Sequence, residues 1–436
     1  MAAAPSSGNP GSEGGSEFCA NTRAGLAGFW GLPIVVEIGF SRTMKFGLAG
    51  TVVPYVRKST KTWKGTAVST PTINPAAAPQ ETAGQNGLAH RLAGAKKAYT
   101  TRFLADALEA DPTGYRLLSG PNAIPTAGDI VLARVERIGQ LTRLESPASR
   151  RQTLFVGDEI LVAYADRYAP DQVLAEVPAD LGPCHLVAAG GLAGKVTVSH
   201  GAVGKPTEIV PVGLLANSHG RLNLKRFAPC SLNQGSLPRV RPHVVAVLGT
   251  SMNSGKTTAA ACLIKGLTNA GLRVAAGKIT GTGAGGDPRL FHDAGAVKVL
   301  DFTDYGYPTT FRIGAPELRS LAMSMVNELA GSAPEAIVVE IADGVYQAET
   351  RQLLNAEFLH PLVDSVLFAA ADALGASAGV GLLRAAGHNP AAVTGMLTAS
   401  PLAAAEARGE LDVPVVGTYE LAQAETAMRF LAPTPQ

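Results

Sequence analysis

The chain is poor in cysteine, in charge and in aromatic residues, and each shortage excludes something. Its four cysteines, Cys19, Cys184, Cys230 and Cys262, lie far apart and form no C-x-x-C pair. Neither a disulfide framework nor a zinc ribbon is indicated, and reduced thiols of a cytoplasmic protein are expected. Charged residues make up 17% and aromatics 6% of 436 residues, and the formal net charge is +2. So near-neutral a chain does not bind polyanions by bulk charge. Long hydrophobic runs are missing as well: the stretch 28–40, "GFWGLPIVVEIGF", contains Pro33 and Glu37 and is too short to span a bilayer. The opening residues lack the basic segment and apolar core of a secretory signal, and Met44 is left open as an alternative start.

Apolar residues, at 46%, are ample for two or three globular domains. Residues 1–98 are rich in Gly, Pro, Ser and Thr, which predicts a flexible, partly basic extension. Between Arg42 and Arg102 there are ten Lys/Arg against one acid, Glu81. This block reads as a solvated arm, with contact to nucleic acid as the alternative. Residues 99–226 predict a helix, "YTTRFLADALEAD", followed by short apolar runs between turn residues. The last two runs form a hairpin at Asn217 to Gly220, and the whole is a small barrel- or sandwich-like β-rich domain. Residues 227–242 read as a linker. From 243 to 436 strand and helix alternate, with strands expected at Val244–Leu248, Val274–Ile279, Val297–Phe302, Ala336–Ile341, Ser365–Ala371, Ala392–Leu397 and Pro414–Thr418. That alternation predicts an α/β domain with a mainly parallel sheet covered by helices on both faces.

The chemistry concentrates in "GTSMNSGKTT": Gly249, Thr250, Ser251, Met252, Asn253, Ser254, Gly255, Lys256, Thr257 and Thr258. A buried strand precedes the loop and a helix follows it. Its backbone N–H groups and the helix dipole are thereby placed to hold phosphate oxygens, with Lys256 reaching the β- and γ-phosphates and Thr257 ligating Mg²⁺. The first glycine, however, stands one place earlier than the G-x-x-x-x-G-K-[ST] spacing requires.

That displaced form resembles the G-T-[DS]-x-x-x-G-K-[ST] loop of dethiobiotin synthetase and the related cobyrinic acid amide synthetases. The similarity runs from Val244 to Leu431 and includes the closing V-P-V-V-G. In that family the second strand ends in a lysine that helps hold phosphate and substrate, which implies a catalytic Lys278 beside Lys256. A later strand ends in a metal-binding glutamate, which implies Glu340, with Asp343 three residues on. The third metal carboxylate would be Asp287, with Asp301 and Asp304 as alternatives. The resemblance implies ATP and Mg²⁺ as cofactors, although Thr398 stands where the family has the asparagine that contacts adenine. The glutaminase half of the amide synthetases is absent, and Cys262, within the loop's helix, reads as a packing residue.

The function expected from these residues is Mg²⁺-dependent phosphoryl transfer to, or ATP-driven activation of, a small acceptor seated over Gly281–Gly286. A nucleotide-hydrolysing switch or cofactor-delivery protein is the alternative, with Asp301–Thr310 as its moving segment. An ATPase acting on nucleic acid ranks third, since no aromatic stacking motif accompanies the basic residues. The partners expected are a nucleotide and an unidentified small-molecule acceptor, without a membrane and with a homodimer left open. His185, His200 and His219 match no metal spacing, and Arg151, Asp158 and Tyr168 receive no role.

Overall fold

The computed structural model describes residues 85–111, 113–233 and 241–431. The arm from Arg42 to 84, Met44, Cys19, the 28–40 run and the middle of the 227–242 connection lie outside them. The chain divides into compact units 1–77 and 78–436, and every described residue belongs to the second. Among the described residues no helix is long and apolar enough to cross a membrane.

The β-rich region closes on itself. Strand Glu159–Tyr164 pairs with Ile130–Arg137, which pairs with Thr207–Asn217, then Cys184–Ala188, then Leu192–Ser199. This last strand returns, parallel, to Glu159–Tyr164. The ring is a barrel rather than a sandwich, and closure leaves these five strands without a free edge. Alternation sorts the side chains: Val131, Ala133, Ile160 and Val162 fill one core, while Ile130, Leu132, Leu161 and Ala163 face the helices Gln85–Gly94 and Arg102–Ala110.

The first of these helices corrects the expected extension to residue 98. Leu88 and Leu92, one helical turn apart, are buried against the barrel together with Ala95 and Ala98. The surrounding Gly/Pro/Ser content hides that short amphipathic segment when composition is averaged over a hundred residues.

The second part is a six-stranded, all-parallel sheet. In chain order it contains β1 (His243–Gly249), α1 (Lys256–Asn269), β2 (Val274–Lys278), α2 (Gly286–Asp293), β3 (Lys298–Asp301), α3 (Ala315–Ala330) and β4 (Ala336–Glu340). There follow α4 (Ala348–Leu353), α5 (Ala356–Leu362), β5 (Ser365–Ala369), α6 (Ala373–Ala385), β6 (Ala392–Thr394) and α7 (Pro401–Glu410). The strand order is β3-β2-β4-β1-β5-β6. Val244, Ala246 and Leu248 enter the core on one face, and Val245 and Val247 that on the other. A strand of β-branched residues buried on both sides suits the middle of a parallel sheet.

The expected seventh strand, Pro414–Thr418, is reduced to one parallel bridge between Val393 and Val415. Its chain turns at Gly417 into a 3-10 helix, Thr418–Ala422, before a ladder can extend.

Candidate functional site

Sheet order puts the carboxyl ends of β1, β2 and β4 side by side, and the candidate residues sit there. Gly249 ends β1 because nothing larger fits: a Cβ on it would lie 2.4 Å from Ser254 Oγ and 2.7 Å from the Ala369 carbonyl oxygen of β5. Thr250, one place on, donates its N–H to that same carbonyl at 3.0 Å. The loop then turns through Asn253 (φ 63°) and Gly255 (φ 96°), both left-handed, and Asn is among the few non-glycine residues that accept this. The glycine displaced by one place is therefore required by β5, which crowds the strand end rather than the loop.

Lys256 is 5% exposed and its Nζ donates to the Ser251 carbonyl at 2.7 Å, arching over the loop. Burial lowers its pKa against the pull of Glu340 and Asp343. Thr257 Oγ1 donates to Glu340 Oε1 at 3.2 Å. Glu340 is 1% exposed and also lies 3.6 Å from Lys278 Nζ. Lys278 in turn is hydrogen-bonded to Asp287, the second residue of α2. Burial alone would lower Lys278, but Glu340 and Asp287 outweigh it and hold the ammonium above the ordinary lysine range. Burial pushes Glu340 upward against Lys278, and Asp343 upward against Lys256 and Lys278.

The structure thus brings Lys256, Thr257, Lys278, Asp287 and Glu340 together. Three buried polar atoms among them and their neighbours, Thr250 Oγ1, Ser254 Oγ and Glu340 Oε2, have no hydrogen-bond partner. Orphaned buried polar atoms are costly, and their clustering at one loop fits an anionic ligand with a cation beside it. Among the described residues no group of three His, Cys, Asp or Glu side chains is placed to hold a metal ion. Thr257 and Glu340 alone would leave most of a Mg²⁺ shell to water and to phosphate oxygens.

The other carboxylates face elsewhere. Asp301 accepts from the Thr303 N–H at 2.6 Å and from Tyr99 Oη at 3.2 Å, and Asp304 accepts from the Asp301 N–H and, at 2.9 Å, from Arg102. Burial and the neighbouring Asp301 push Asp304 up to about 6. Both are committed to capping a 3-10 turn and to the helix that precedes the barrel. Phe302, Thr303 and Tyr305 in the same segment are buried.

The glycine-rich segment also has a different use from the one expected. A Cβ on Gly285 would meet Ser149 Oγ at 2.0 Å, and one on Gly190 would meet the Gly283 carbonyl at 1.9 Å. At Gly283 and Gly285 the bare backbone receives the β-rich region rather than leaving room for an acceptor, while Gly286 stays open. Both Oε atoms of Glu145 lie 3.1 Å from the Gly285 nitrogen, at the N-terminus of α2. Farther round, Asp171 accepts from Asn253 of the phosphate loop at 2.7 Å, Tyr168 packs on Phe311 with ring centroids 5.4 Å apart, and Arg312 pairs with Asp166 and Glu176. Arg167 is buried, and desolvation lowers it to about 10 against the pull of Asp343. Sequence reading missed Tyr99, Arg102, Glu145, Arg167 and Asp171, because no local motif marks a side chain that works across the contact between the β-rich region and the parallel sheet.

The remaining candidates fall away from the loop. His185 accepts from the Val196 N–H, His200 from the Ala202 N–H, and His219 lies in the hairpin turn. Asp158 binds Lys96, and Arg151 lies exposed on a two-stranded ribbon. Cys262 packs half-buried against the α1 side of the sheet.

A cavity of about 260 Å³ opens beside Gly255 and Thr258, walled by the turns after β6 and after Gly417. Thr398 lines it. Its Oγ1 donates to the Gly395 carbonyl at 2.8 Å and lies 3.1 Å from Thr418 Oγ1.

No family model matches this chain, and no curated protein matches it. Among solved structures, the signal recognition particle receptor FtsY of Elizabethkingia anophelis in complex with GDP is 16% identical, covering 48% of this chain and 70% of its own, with a TM-score of 0.31. Chloroplast FtsY of Physcomitrella patens is 16% identical over 48% of this chain and 69% of its own, with a TM-score of 0.32. The 54 kDa signal recognition particle protein of Aeropyrum pernix in complex with GDP is 19% identical over 48% and 50%, with a TM-score of 0.30. Likenesses this distant say nothing of this chain's activity; its strand order and loop geometry make its C-terminal half a P-loop α/β domain.

Proposed function

We propose that the chain is a Mg²⁺-dependent P-loop enzyme that uses a nucleoside triphosphate to phosphorylate or activate a small acceptor. The observation that carries this reading is the second lysine. Lys278 projects from the strand two places from β1 and is held between Glu340 and Asp287 at the same strand ends as Lys256. Two ammonium groups around one phosphate site suit charge that develops and moves during transfer, a largely electrostatic task. The resemblance to dethiobiotin synthetase, which places a lysine at the end of its second strand, supports the same roles and implies adenine as the base.

Lys256 and the loop N–H groups would bind phosphate, and Lys278 would hold the transferring group, with Asp287 fixing its ammonium. Thr257 and Glu340 would hold Mg²⁺, which neutralises phosphate charge when bound. The β-rich region, through Asp171 and Arg167, would exclude water from the side facing Asp343.

One observation favours a second reading. The phosphate loop is itself tied to the β-rich region by Asn253 and Asp171, a direct route by which hydrolysis could alter the fit to a partner, as in a nucleotide-driven switch.

The test is turnover by the purified full-length chain with ATP and GTP, alone and with a panel of small carboxylate and amine metabolites. An enzyme of the first kind releases product quickly only with its acceptor; a switch hydrolyses slowly whatever metabolite is added. Lys256→Ala should weaken nucleotide binding more than tenfold, while Lys278→Ala should keep most of the affinity and lose turnover. Unchanged affinity in Lys256→Ala would overturn both readings.

A further inference from the structure

We infer that the cavity beside the phosphate loop takes a guanine base and that Glu420 is the residue that selects it. This rests on the nucleotide-binding reading and replaces the adenine implied by resemblance.

The cavity adjoins the loop directly: Gly395, on its wall, lies where a Cβ on Gly255 would come within 3.1 Å of its Cα. At about 260 Å³ it is smaller than a site for a drug-sized molecule and suits one planar ring system. Met396 and Tyr419 line it and remain 54% and 79% exposed. Two large apolar side chains left uncovered at the mouth of one cavity are surfaces on which a base can stack.

Its polar groups discriminate between bases. The hydroxyls of Thr398 and Thr418, which line it, are spent on each other, on Thr394 behind them and on Gly395: Thr394 and Thr418 stand 3.2 Å apart, Thr398 and Thr418 3.1 Å, and both Thr398 and Thr418 reach the Gly395 carbonyl. The exposed Thr258 hydroxyl on the same wall makes no hydrogen bond among the described residues and, able to donate or accept, does not discriminate. The N–H groups of Gly395, Met396, Thr398 and Thr418 are likewise engaged, with Thr418 Oγ1, the Ser254 carbonyl, the Gly395 carbonyl and Thr398 Oγ1 respectively. The charged side chain lining the cavity is Glu420. Its Oε2 accepts from the Gly417 N–H at 3.3 Å, and among the described residues its Oε1 accepts no hydrogen bond.

A carboxylate only accepts. Guanine offers it two adjacent donors, N1–H and the 2-amino group. Adenine offers one amino group next to N1, a lone pair that a carboxylate repels. A bidentate pair of this kind discriminates against the wrong base by about 1–3 kcal/mol, which is about 5- to 150-fold.

The test is a titration of the full-length chain, with Mg²⁺ present, by non-hydrolysable analogues of GTP, ATP and ITP. GTP should bind about tenfold or more tighter than ATP. ITP, which keeps N1–H and lacks the 2-amino group, should fall between them. In Glu420→Gln the amide presents one donor and one acceptor, matching adenine's edge, so the GTP-to-ATP ratio should fall at least fivefold with the melting temperature unchanged. ATP binding as tightly as GTP in the unmodified chain overturns the inference alone, and that ratio decides even if the variant fails to fold. A GTP preference that survives Glu420→Gln in a folded protein also overturns it. Binding of none of the three nucleotides sinks the nucleotide reading and this inference together.

Discussion

Gly249→Ala asks the most direct question of the phosphate loop. The added methyl would lie 2.4 Å from Ser254 Oγ, 2.7 Å from the Ala369 carbonyl oxygen and 2.8 Å from Lys256 Cγ. Ordinary carbon contacts are about 3.5–4.0 Å, so all three are overlaps. Ser254 can rotate; Ala369 is backbone, fixed by its register opposite Gly249 in the β1–β5 ladder. Relief must come from opening that ladder, which strains packing by about 1–3 kcal/mol and endangers the Thr250 N–H bond to Ala369, worth about 1 kcal/mol. A loss of about 2–4 kcal/mol should lower the melting temperature by several degrees and, because Lys256 is displaced too, weaken nucleotide binding more than tenfold. Scanning fluorimetry reads the first and titration with a fluorescent nucleotide the second. Thr250→Gly, which supplies a glycine at the usual spacing, should neither improve binding nor rescue Gly249→Ala. If Gly249→Ala melts and binds like the parent, or the double variant recovers, β5 crowding is not what placed the glycine.

Two other perturbations act through the junction with the barrel. Glu145→Gln removes a charge from the N-terminus of α2, where an anion contributes about 0.3–1 kcal/mol; turnover should fall while nucleotide affinity holds. Its effect should be non-additive with Asp287→Asn in a double-mutant cycle, whereas additivity would separate Glu145 from Lys278. Asp304 gives a pH dependence. Its pKa, raised to about 6 by burial and Asp301, exceeds the unfolded carboxyl's, so its stabilising contribution is full below about pH 4 and is lost as pH rises through about 6. Denaturation of the parent and of Asp304→Asn should show the difference in stability shrink or reverse across that window, and a flat difference would refute it.

The loop was legible from sequence because its determinants are local. β1, the turn and α1 occupy contiguous residues, and the buried strand of Val244, Val245 and Val247 announces the sheet centre. Glu340 and Lys278 were legible at one remove, through the family resemblance, as the residues that end the strand beside β1 and the strand beyond it. Asp287 could not be told from Asp301 or Asp304 by position. What separates them is Tyr99 and Arg102, which engage Asp301 and Asp304 from 202 residues away. A separation of 140 residues likewise hides Glu145 from Gly285. The glycines from Gly281 to Gly286 announce a close approach in the sequence, but a bare backbone does not declare whether ligand or protein approaches it.

That junction has a consequence for the order in which the protein assembles. The barrel closes among residues 130–217, so it can be complete while the chain that carries Asp301 is still being made, and domains made first generally fold first. The sheet then forms against a finished surface, and Gly190 and Gly285 set the tolerance of the fit. Docking across 202 residues is the step with the greatest loop-closure cost and should be slow. Pulsed hydrogen exchange during refolding should find Ile130–Arg137 protected before the N–H groups of Gly283 and Gly285, and simultaneous protection would show that barrel and junction form together.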